Sequence, residues 1–256
     1  MFMMASFFGC RIYLIGLTIL LFTGCYAVDP PACLMRAGDW EEVVESYDAS
    51  PHAIELYNHM DVVLETWDSS ATQFTWSGPA NVLEQRWSQW NGNALLVGYE
   101  DRCQWMRDLG SNLGLTIRTP GITKIALHGQ GRLDAALLDT NLAVAIDAYA
   151  FAGYIDLHCE LDSLTVRLHS GACIAQAEGV VGTIALFASG LSGIDARQVQ
   201  AKRAFINQSA HPLTRFRASE YAYIELNSHS DVAGILPMPS EYQVIRHGSG
   251  QLIWED

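Results

Sequence analysis

The sequence is poor in positive charge. Of its 256 residues, 15 are Lys or Arg and 28 are Asp or Glu, which gives a formal net charge of −13 at pH 7. Because an acidic surface repels phosphate groups, we expect neither nucleic acid nor anionic lipid headgroups as partners. Half of the residues are hydrophobic, so the chain is expected to be globular rather than disordered.

The sequence also lacks an apolar run long enough to span a bilayer comfortably. The run from Ile12 to Phe22 follows Arg11 and has the length of a signal-peptide core. It ends in Leu21-Phe22-Thr23-Gly24-Cys25, which resembles the lipobox of bacterial lipoproteins, with Phe22 where Leu is usual. The resemblance predicts a signal peptide over 1–24 and acylation of Cys25. An ordinary secretory cleavage near Ala27 is the alternative.

Acylation at Cys25 would place the protein in a membrane by its lipid chains. Several acyl chains on one residue anchor firmly, because each buried methylene contributes about 0.8 kcal/mol. Tyr26 follows Cys25, where Asp would resemble an inner-membrane retention signal. We therefore predict an outer-membrane lipoprotein on the periplasmic or the cell-surface face, with residues 25–38 as a tether.

No C-x-x-C spacing occurs, so a structural zinc site is not expected. Cys10 leaves with the signal peptide and Cys25 would carry lipid. In an oxidising compartment the other four cysteines allow three disulfide pairings. These four are Cys33, Cys103, Cys159 and Cys173.

Long helical periodicity is missing as well. The best helical candidate is Asp39 to Tyr47, where apolar residues have helical spacing, although a strand there remains an alternative. Short alternating segments over 53–57, 61–67, 73–76 and 113–118 predict strands. The pair Asn91-Gly92 between two such segments predicts a β-hairpin with a type I′ turn. We therefore predict an N-terminal β region over 39–120.

From Ile122 to Trp254 short apolar strands recur with a steady period. Their last apolar residues lie 18 to 22 residues apart, and turns rich in Gly, Ser, Asn and Asp follow them. The seven are Leu127, Ile146, Leu168, Leu186, Ile206, Leu226 and Ile245. Such a period is typical of stacked coils, which bury a core only together. We predict a right-handed parallel β-solenoid over 121–256, or one continuous domain over 39–256. An antiparallel sandwich is the alternative.

Several segments together resemble a known family. They are Cys33-Leu34-Met35-Arg36-Ala37-Gly38-Asp39, Gly92-Asn93-Ala94-Leu95-Leu96-Val97, Cys103-Gln104-Trp105-Met106-Arg107 and the closing Gly248-Ser249-Gly250-Gln251-Leu252-Ile253-Trp254-Glu255-Asp256. The chain resembles the family described as "putative auto-transporter adhesin, head GIN domain", found largely in lipoproteins of Bacteroidetes-type bacteria. The resemblance implies an all-β, pectin-lyase-like β-helix without established catalytic residues and with an adhesive role.

The resemblance also implies a disulfide. Family members often carry cysteines at the positions of Cys33 and Cys103, so we expect these two to be bonded. Closing a loop of this size stabilises by roughly 4 kcal/mol in the chain-entropy model. Cys159 and Cys173 lie 14 residues apart, less than one coil, and we expect them to be unpaired and buried.

Candidate chemistry in the repeats is sparse. Four histidines follow or lie near strand ends and could line one edge, but no His-x-His spacing supports a metal site, and no cofactor is expected. They are His128, His169, His229 and His247. Acidic residues could supply the paired carboxylates of a polysaccharide lyase or glycosidase, but we expect them to be solvated at corners. They are Asp134, Asp139, Asp147, Asp156, Glu160, Asp162 and Asp195.

Tryptophans concentrate in the N-terminal half, and exposed aromatic rings can stack on sugars. Trp87 and Trp90 have opposite parity in one strand, so they are expected to point to opposite faces and at least one to be exposed. They are the candidate carbohydrate contacts. We predict a non-enzymatic, adhesin-like envelope protein that contacts surface glycans or other envelope proteins and could form homo-oligomers through solenoid edges. The alternatives are a carbohydrate-active enzyme and a purely structural envelope protein.

Overall fold

The computed structural model of the chain describes residues 38–100 and 113–256. The predicted signal peptide, most of the tether, the lipidation site Cys25 and the predicted Cys33–Cys103 pair lie outside these residues. No helix within the described residues is both long enough and apolar enough to cross a bilayer.

The described chain is built almost wholly from strands. The first seven are β1 (Trp40–Tyr47), β2 (Ala53–Leu56), β3 (His59–Thr66), β4 (Thr72–Pro79), β5 (Arg86–Asn91), β6 (Ala94–Tyr99) and β7 (Leu113–Thr119). One short helix, α1 (Ala80–Leu83), follows β4. The remaining strands are β8 (Lys124–Leu168), β9 (Gly171–Gly190), β10 (Gly193–Ala210), β11 (Thr214–Phe216), β12 (Ala218–Leu226), β13 (Val232–Ile235), β14 (Glu241–Arg246) and β15 (Leu252–Glu255).

The strands from β8 onward wind into a stack of coils with parallel pairing between successive coils. Leu186 pairs with Ile206, which pairs in turn with Ile224. A parallel register keeps each side chain over its equivalent one coil earlier, so apolar residues form columns inside and polar residues form columns outside. The predicted all-β solenoid is confirmed, and the steps of about twenty residues are the length of one coil.

The N-terminal strands continue this stack. Strand β2 pairs in parallel with Lys124–Leu127 of β8, and β3 pairs in parallel with residues 130–136 of β8. Beyond β3 lie β7, β4 and β1 in that order. Strand β4 pairs antiparallel with β7, and β1 pairs antiparallel with β4. Beyond β2 lie β6 and β5, which form an antiparallel hairpin. The stack thus has two sheet columns, one that begins beside β2 and a second that begins beside β3, and antiparallel strands lie at the N-terminal end of each.

The segment with helical spacing is a strand, so the helix prediction for Asp39 to Tyr47 is wrong. Trp40–Tyr47 pairs along its whole length with β4, Val43 lying opposite Trp76 and Tyr47 opposite Thr72. Val43 and Tyr47 are partly buried, whereas Val44 is exposed, as alternation along a strand requires. Strand β4 provides hydrogen-bond partners for the backbone of this segment. An isolated helix of the same length would be marginally stable. The Asn91-Gly92 hairpin is confirmed, with Asn91 opposite Ala94.

The core is one continuous apolar cluster that runs along the stack. Among the repeat anchors, Leu168, Leu186, Ile206 and Leu226 are almost fully buried. Ile245 differs, because it pairs with the outward-facing Glu225 while its neighbour Val244 continues the inner column. At this last coil Trp254 closes against Phe216 and Tyr242, with ring centroids 6.2 and 5.6 Å apart.

Cys159 and Cys173 are free and buried, as expected. Burial raises the pKa of each thiol to about 12, because the thiolate would lose its hydration. Both therefore serve as small apolar side chains of the core rather than as reactive groups.

Candidate functional site

Four rings stack along one outer column of the first coils. We call Tyr57, His128, Tyr149 and His169 the ring ladder. Successive centroids lie 4.6, 5.3 and 4.6 Å apart, with interplanar angles of 6°, 13° and 2°. The spacing matches the separation of hydrogen-bonded strands, which is why rings at equivalent positions of successive coils stack. The stacked rings cover each other's faces, and the Tyr149 side chain remains 38% exposed.

The ladder follows directly from the register. Leu56 pairs with Leu127, so the next residues, Tyr57 and His128, lie side by side. The amide of His169 donates to the carbonyl of Ala148, which places His169 beside Tyr149. His128 and His169, both predicted to line an edge, do lie in one column, but a tyrosine separates them. Among residues 38–100 and 113–256 no group of three or more His, Cys, Asp or Glu could hold a metal ion.

An open recess of about 610 Å³ lies at the N-terminal end of the ring ladder. The residues around it are Tyr57, Asn58, Trp87, Tyr99, Glu100, His128 and Gly129. The ring of Trp87 continues the ladder beyond Tyr57, with centroids 5.8 Å apart and planes tilted by 39°. Because of this tilt, the Trp87 ring does not stack face to face on Tyr57. It lines one side of the recess instead.

The backbone fixes the position of Trp87. It lies opposite Gly98 in the β5–β6 hairpin, and a Cβ at Gly98 would come within 2.6 Å of the indole. The absence of that Cβ lets the ring lie against the β6 backbone. Tyr57 is held by donation from its hydroxyl to Glu55 at 2.7 Å. This bond, followed by burial and the charge of Glu55, raises the pKa of Tyr57 to about 12.

Trp90 lies on the other face of the hairpin. Its ring meets the edge of Tyr47, with centroids 6.3 Å apart, and the side chain is 39% exposed. Trp87 therefore lines the recess, and Trp90 does not.

A buried carboxylate lies beside the ladder. Asp147 is 1% exposed and accepts from Arg167 Nε at 2.5 Å and Nη2 at 2.9 Å. His169 Nε2 lies 3.2 Å and Lys124 Nζ 3.7 Å from its oxygens. Burial alone would raise the pKa of Asp147, but the hydrogen bonds from Arg167 and His169 and the charges of Arg167 and Lys124 outweigh burial and lower it. The prediction of a solvated corner is wrong for Asp147, because three basic side chains cover it.

Other predicted acidic residues line a groove of about 610 Å³ on the second sheet column. Asp156 pairs with Gln176, which pairs with Asp195, so the two carboxylates lie two coils apart. Desolvation and the neighbouring Asp134 raise the pKa of Asp156 against the opposing charge of Arg132. Burial would raise the pKa of Asp195, but its bonds with Arg197 lower it.

The aspartates of this groove are paired with arginines. Two strand spacings put Asp156 and Asp195 about 10 Å apart, at or beyond the range of about 6.5–9.5 Å in inverting enzymes. Asp134 and Asp156 are bridged by Arg132, whose Nε lies 3.0 Å from Asp134 and whose Nη2 lies 2.8 Å from Asp156. Arg197 also binds both oxygens of Asp195, at 2.9 Å through Nε.

The remaining predicted residues lie apart from both features. Asp139 accepts from the backbone amide of Asn141, two residues further along the chain. Glu160 and Asp162 line another groove with Lys202. His229 bonds Ser249 at 2.7 Å near the C-terminal end. None of them contributes to the recess or to the ring ladder.

Sequence reasoning missed Tyr57 and Tyr149 as partners of the histidines. The signal for Tyr149 was present, because His169 lies one period of 20 residues after it. Tyr57 lies 71 residues before His128, and no period in the sequence links the two. The N-terminal strands between them join the stack at a register that only the folded chain shows.

Solved structures with the same fold share little sequence with this chain. A protein from Bacteroides fragilis NCTC 9343 described as a "putative adhesin" has a TM-score of 0.72 at 17% identity, over 84% of this chain and 97% of that one. A "putative adhesin" from Parabacteroides distasonis ATCC 8503 has a TM-score of 0.55 at 10% identity, over 85% and 98%. A "putative lipid binding protein" from the same strain has a TM-score of 0.53 at 12% identity, over 84% and 97%. At such identities these structures show the fold alone.

No curated protein matches the sequence. The sequence profile of one family matches residues 50–234, which is most of the chain and includes the ring ladder, Trp87 and the carboxylate groove. This agrees with the resemblance found in the sequence. The chain belongs to the family described as "Putative auto-transporter adhesin, head GIN domain".

Proposed function

We propose that this protein is an adhesin-like, non-enzymatic lipoprotein of the outer membrane that binds a surface glycan in the recess beside Trp87. The observation that carries the proposal is an open, aromatic-walled recess at the end of a rigid ring column. Aromatic rings provide apolar surface for the C–H faces of a sugar at little conformational cost, and polar groups at the rim can meet its hydroxyls. Membership of an adhesin-like family supports the same role.

The recess suits binding without catalysis. Its lining is mostly aromatic, with Asn58 and Glu100 as further polar side chains. A different groove is lined by Asp134, Asp156 and Asp195 of the repeat region. Tyr57 is tied to Glu55, so its hydroxyl remains protonated at neutral pH. Such groups can hold and orient a sugar through contacts and hydrogen bonds, whereas bond cleavage would need an acid and a base at suitable separation.

The test compares two tryptophans of one hairpin. Trp87→Ala removes the wall of the recess, and Trp90→Ala removes a ring of equal size on the other face. On a glycan array, wild type and Trp90→Ala should bind the same oligosaccharides, and Trp87→Ala should lose more than about tenfold in affinity, as expected for a buried aromatic contact. Equal loss in both variants, or no binding by wild type, would contradict the proposal. Release of new reducing ends from bound glycans would favour the enzyme alternative instead.

Anchoring is part of the same proposal. Cys25 would carry the acyl chains, and a Cys33–Cys103 disulfide would hold the tether to the folded stack. Labelling cells with a palmitate analogue should mark the wild-type protein in the outer-membrane fraction, and Cys25→Ser should lose the label and leave that fraction. Retention of the label in Cys25→Ser would contradict lipidation at this residue. Free alkylation of Cys33 in the non-reduced protein would contradict the disulfide.

A further inference from the structure

Two half-exposed cations share one buried carboxylate in a patch on the ladder face. Lys124 and Arg167 are 45% and 41% exposed, whereas the carboxylate that they share, Asp147, is 1% exposed. Two positive charges and one buried negative charge leave the patch with a net charge of about +1 before His169 is counted. It is positive on a chain whose formal net charge is −13.

The hydrogen bonds within the patch determine what a ligand would meet. Both oxygens of Asp147 are occupied, by Nε and Nη2 of Arg167 and by Nε2 of His169. The groups that remain available on Arg167 and Lys124 are N–H donors. A ligand approaching from solvent therefore meets donors and positive charge, with no exposed carboxylate oxygen of Asp147 to repel an anion.

The patch adjoins the edge of the ring ladder. Arg167 lies close enough to Tyr149 for the two to interact electrostatically, and His169 belongs to both the ladder and the patch. From the coil of Tyr57 to that of His169 is three strand spacings, or about 14 Å. A short oligosaccharide seated against Trp87 and running along the ladder edge would reach Lys124 and Arg167.

We propose that the glycan bound by this protein is acidic, and that Lys124 and Arg167 bind its carboxylate or sulfate groups. This inference rests on the proposed function, since it assumes that a sugar chain occupies the recess. Asp147 acts as a positioning residue, because it fixes the guanidinium of Arg167 and draws Lys124 toward it. The anionic group pairs with the outward N–H donors of these two residues, and no covalent bond changes.

The test uses a ligand and a variant that each have a matched control. The ligand is an oligogalacturonide, and its control is the methyl ester of the same oligosaccharide, which lacks the charge. The variant is Lys124→Gln, and its control is Lys202→Gln, since Lys202 is the other lysine of the chain and lies in a different groove. Affinities are measured by titration calorimetry of the purified full-length chain in detergent at low salt. A sulfated galactan is run in parallel.

Wild type should prefer an acidic ligand to the neutral ester, and Lys124→Gln should reduce that preference about fivefold, the scale of one exposed charge pair. Lys202→Gln should leave the preference unchanged, and added salt should weaken only the acidic ligands. A response to the sulfated galactan alone would support the inference with sulfate as the anion. Equal affinity for acid and ester, or equal effects of the two lysine variants, would overturn this inference and leave glycan binding standing. Loss of all glycan binding on the array would overturn the proposed function as well.

Discussion

The first coils and the later coils share one register but differ in chemistry. The column that carries Tyr57, His128, Tyr149 and His169 continues through Ser189 and Ser209, which pair with each other. The hydroxyl of Ser189 donates to the carbonyl of His169, so the ring ladder ends in a hydrogen bond to the backbone. Stacked rings give way to small polar groups although the coil itself does not change.

The same contrast occurs in the neighbouring column. Asp147 and Arg167 form a charged pair in the earlier coils, and Asn207 and Glu225 form an amide–carboxylate bond at 2.8 Å in the later ones. A parallel stack constrains the inner side chains by volume but leaves the outer ones free to vary. The coil geometry therefore accounts for the fold, and the outer columns of the first coils are where a binding surface can be placed.

The largest expected effect concerns a corner at which one early coil requires glycine and the next accepts cysteine. Gly153 has φ +147°, and a Cβ there would lie 1.9 Å from the carbonyl oxygen of Gly131. Its partner one coil later is Cys173. Gly153→Ala should lower the free energy of unfolding by about 3 kcal/mol in chemical denaturation, because backbone strain and overlap add. Gly92→Ala, which meets nothing within 4 Å but also has a positive φ, should lose about 1 kcal/mol. Equal losses in the two variants would contradict the view that overlap with the Gly131 carbonyl adds to backbone strain at Gly153.

An intermediate effect is expected at the buried carboxylate. Asp147→Asn leaves Arg167 and Lys124 without their counter-charge and should lower stability by about 2 kcal/mol at pH 7, less than for a fully buried pair because both cations reach solvent. Asn207→Ala, three coils later in the same column, should lower stability by less than about 1 kcal/mol.

The pH dependence of the Asp147→Asn effect gives a second measurement. Because the folded pKa of Asp147 is lowered, its stabilisation is present above the unfolded value of about 3.9 and is lost as pH falls through the folded pKa. The difference between wild type and variant should be constant from pH 7 to about 5 and shrink below about pH 4. A difference that grows on acidification would contradict the assigned pairing.

The smallest expected effect is on stability, and it compares a ring of the ladder with the serine that follows it in the same column. Tyr149→Ala removes a ring stacked on both sides and should lower stability by about 1.5 kcal/mol, the sum of two modest ring contacts. Ser189→Ala, two coils later in the same column, should lower stability by about 0.5 kcal/mol. Thermal unfolding of both variants under one condition measures the contrast. A loss at Ser189 as large as that at Tyr149 would mean that the ladder contributes no special stability.

Much of the fold could be predicted because the relevant interactions repeat. The steps between Leu127, Leu168 and Leu186 reflect the coil length, since every coil must bury the same number of apolar residues. Asn91-Gly92 identified its hairpin because the turn type requires these residues. The segment from Trp40 to Tyr47 was harder, because its spacing fits a helix and only the pairing with β4 made it a strand.

The site was less predictable because it depends on which coils meet. Trp87 was a candidate from composition, but its partners Tyr57 and His128 come from distant segments of the chain. Asp147 was expected at a solvated corner, since nothing in the sequence shows that Lys124 and Arg167 fold over it.

The sequence by itself determined the repeating coil, the hairpin and the acidic character of this protein, because periodicity, turn chemistry and charge are local properties of the chain. Only the tertiary structure decided that Tyr57 stacks on His128, that Trp87 walls a recess and that Asp147 lies beneath two cations. These contacts depend on the register at which β2 and β3 join β8, and that register is set by packing across the whole stack.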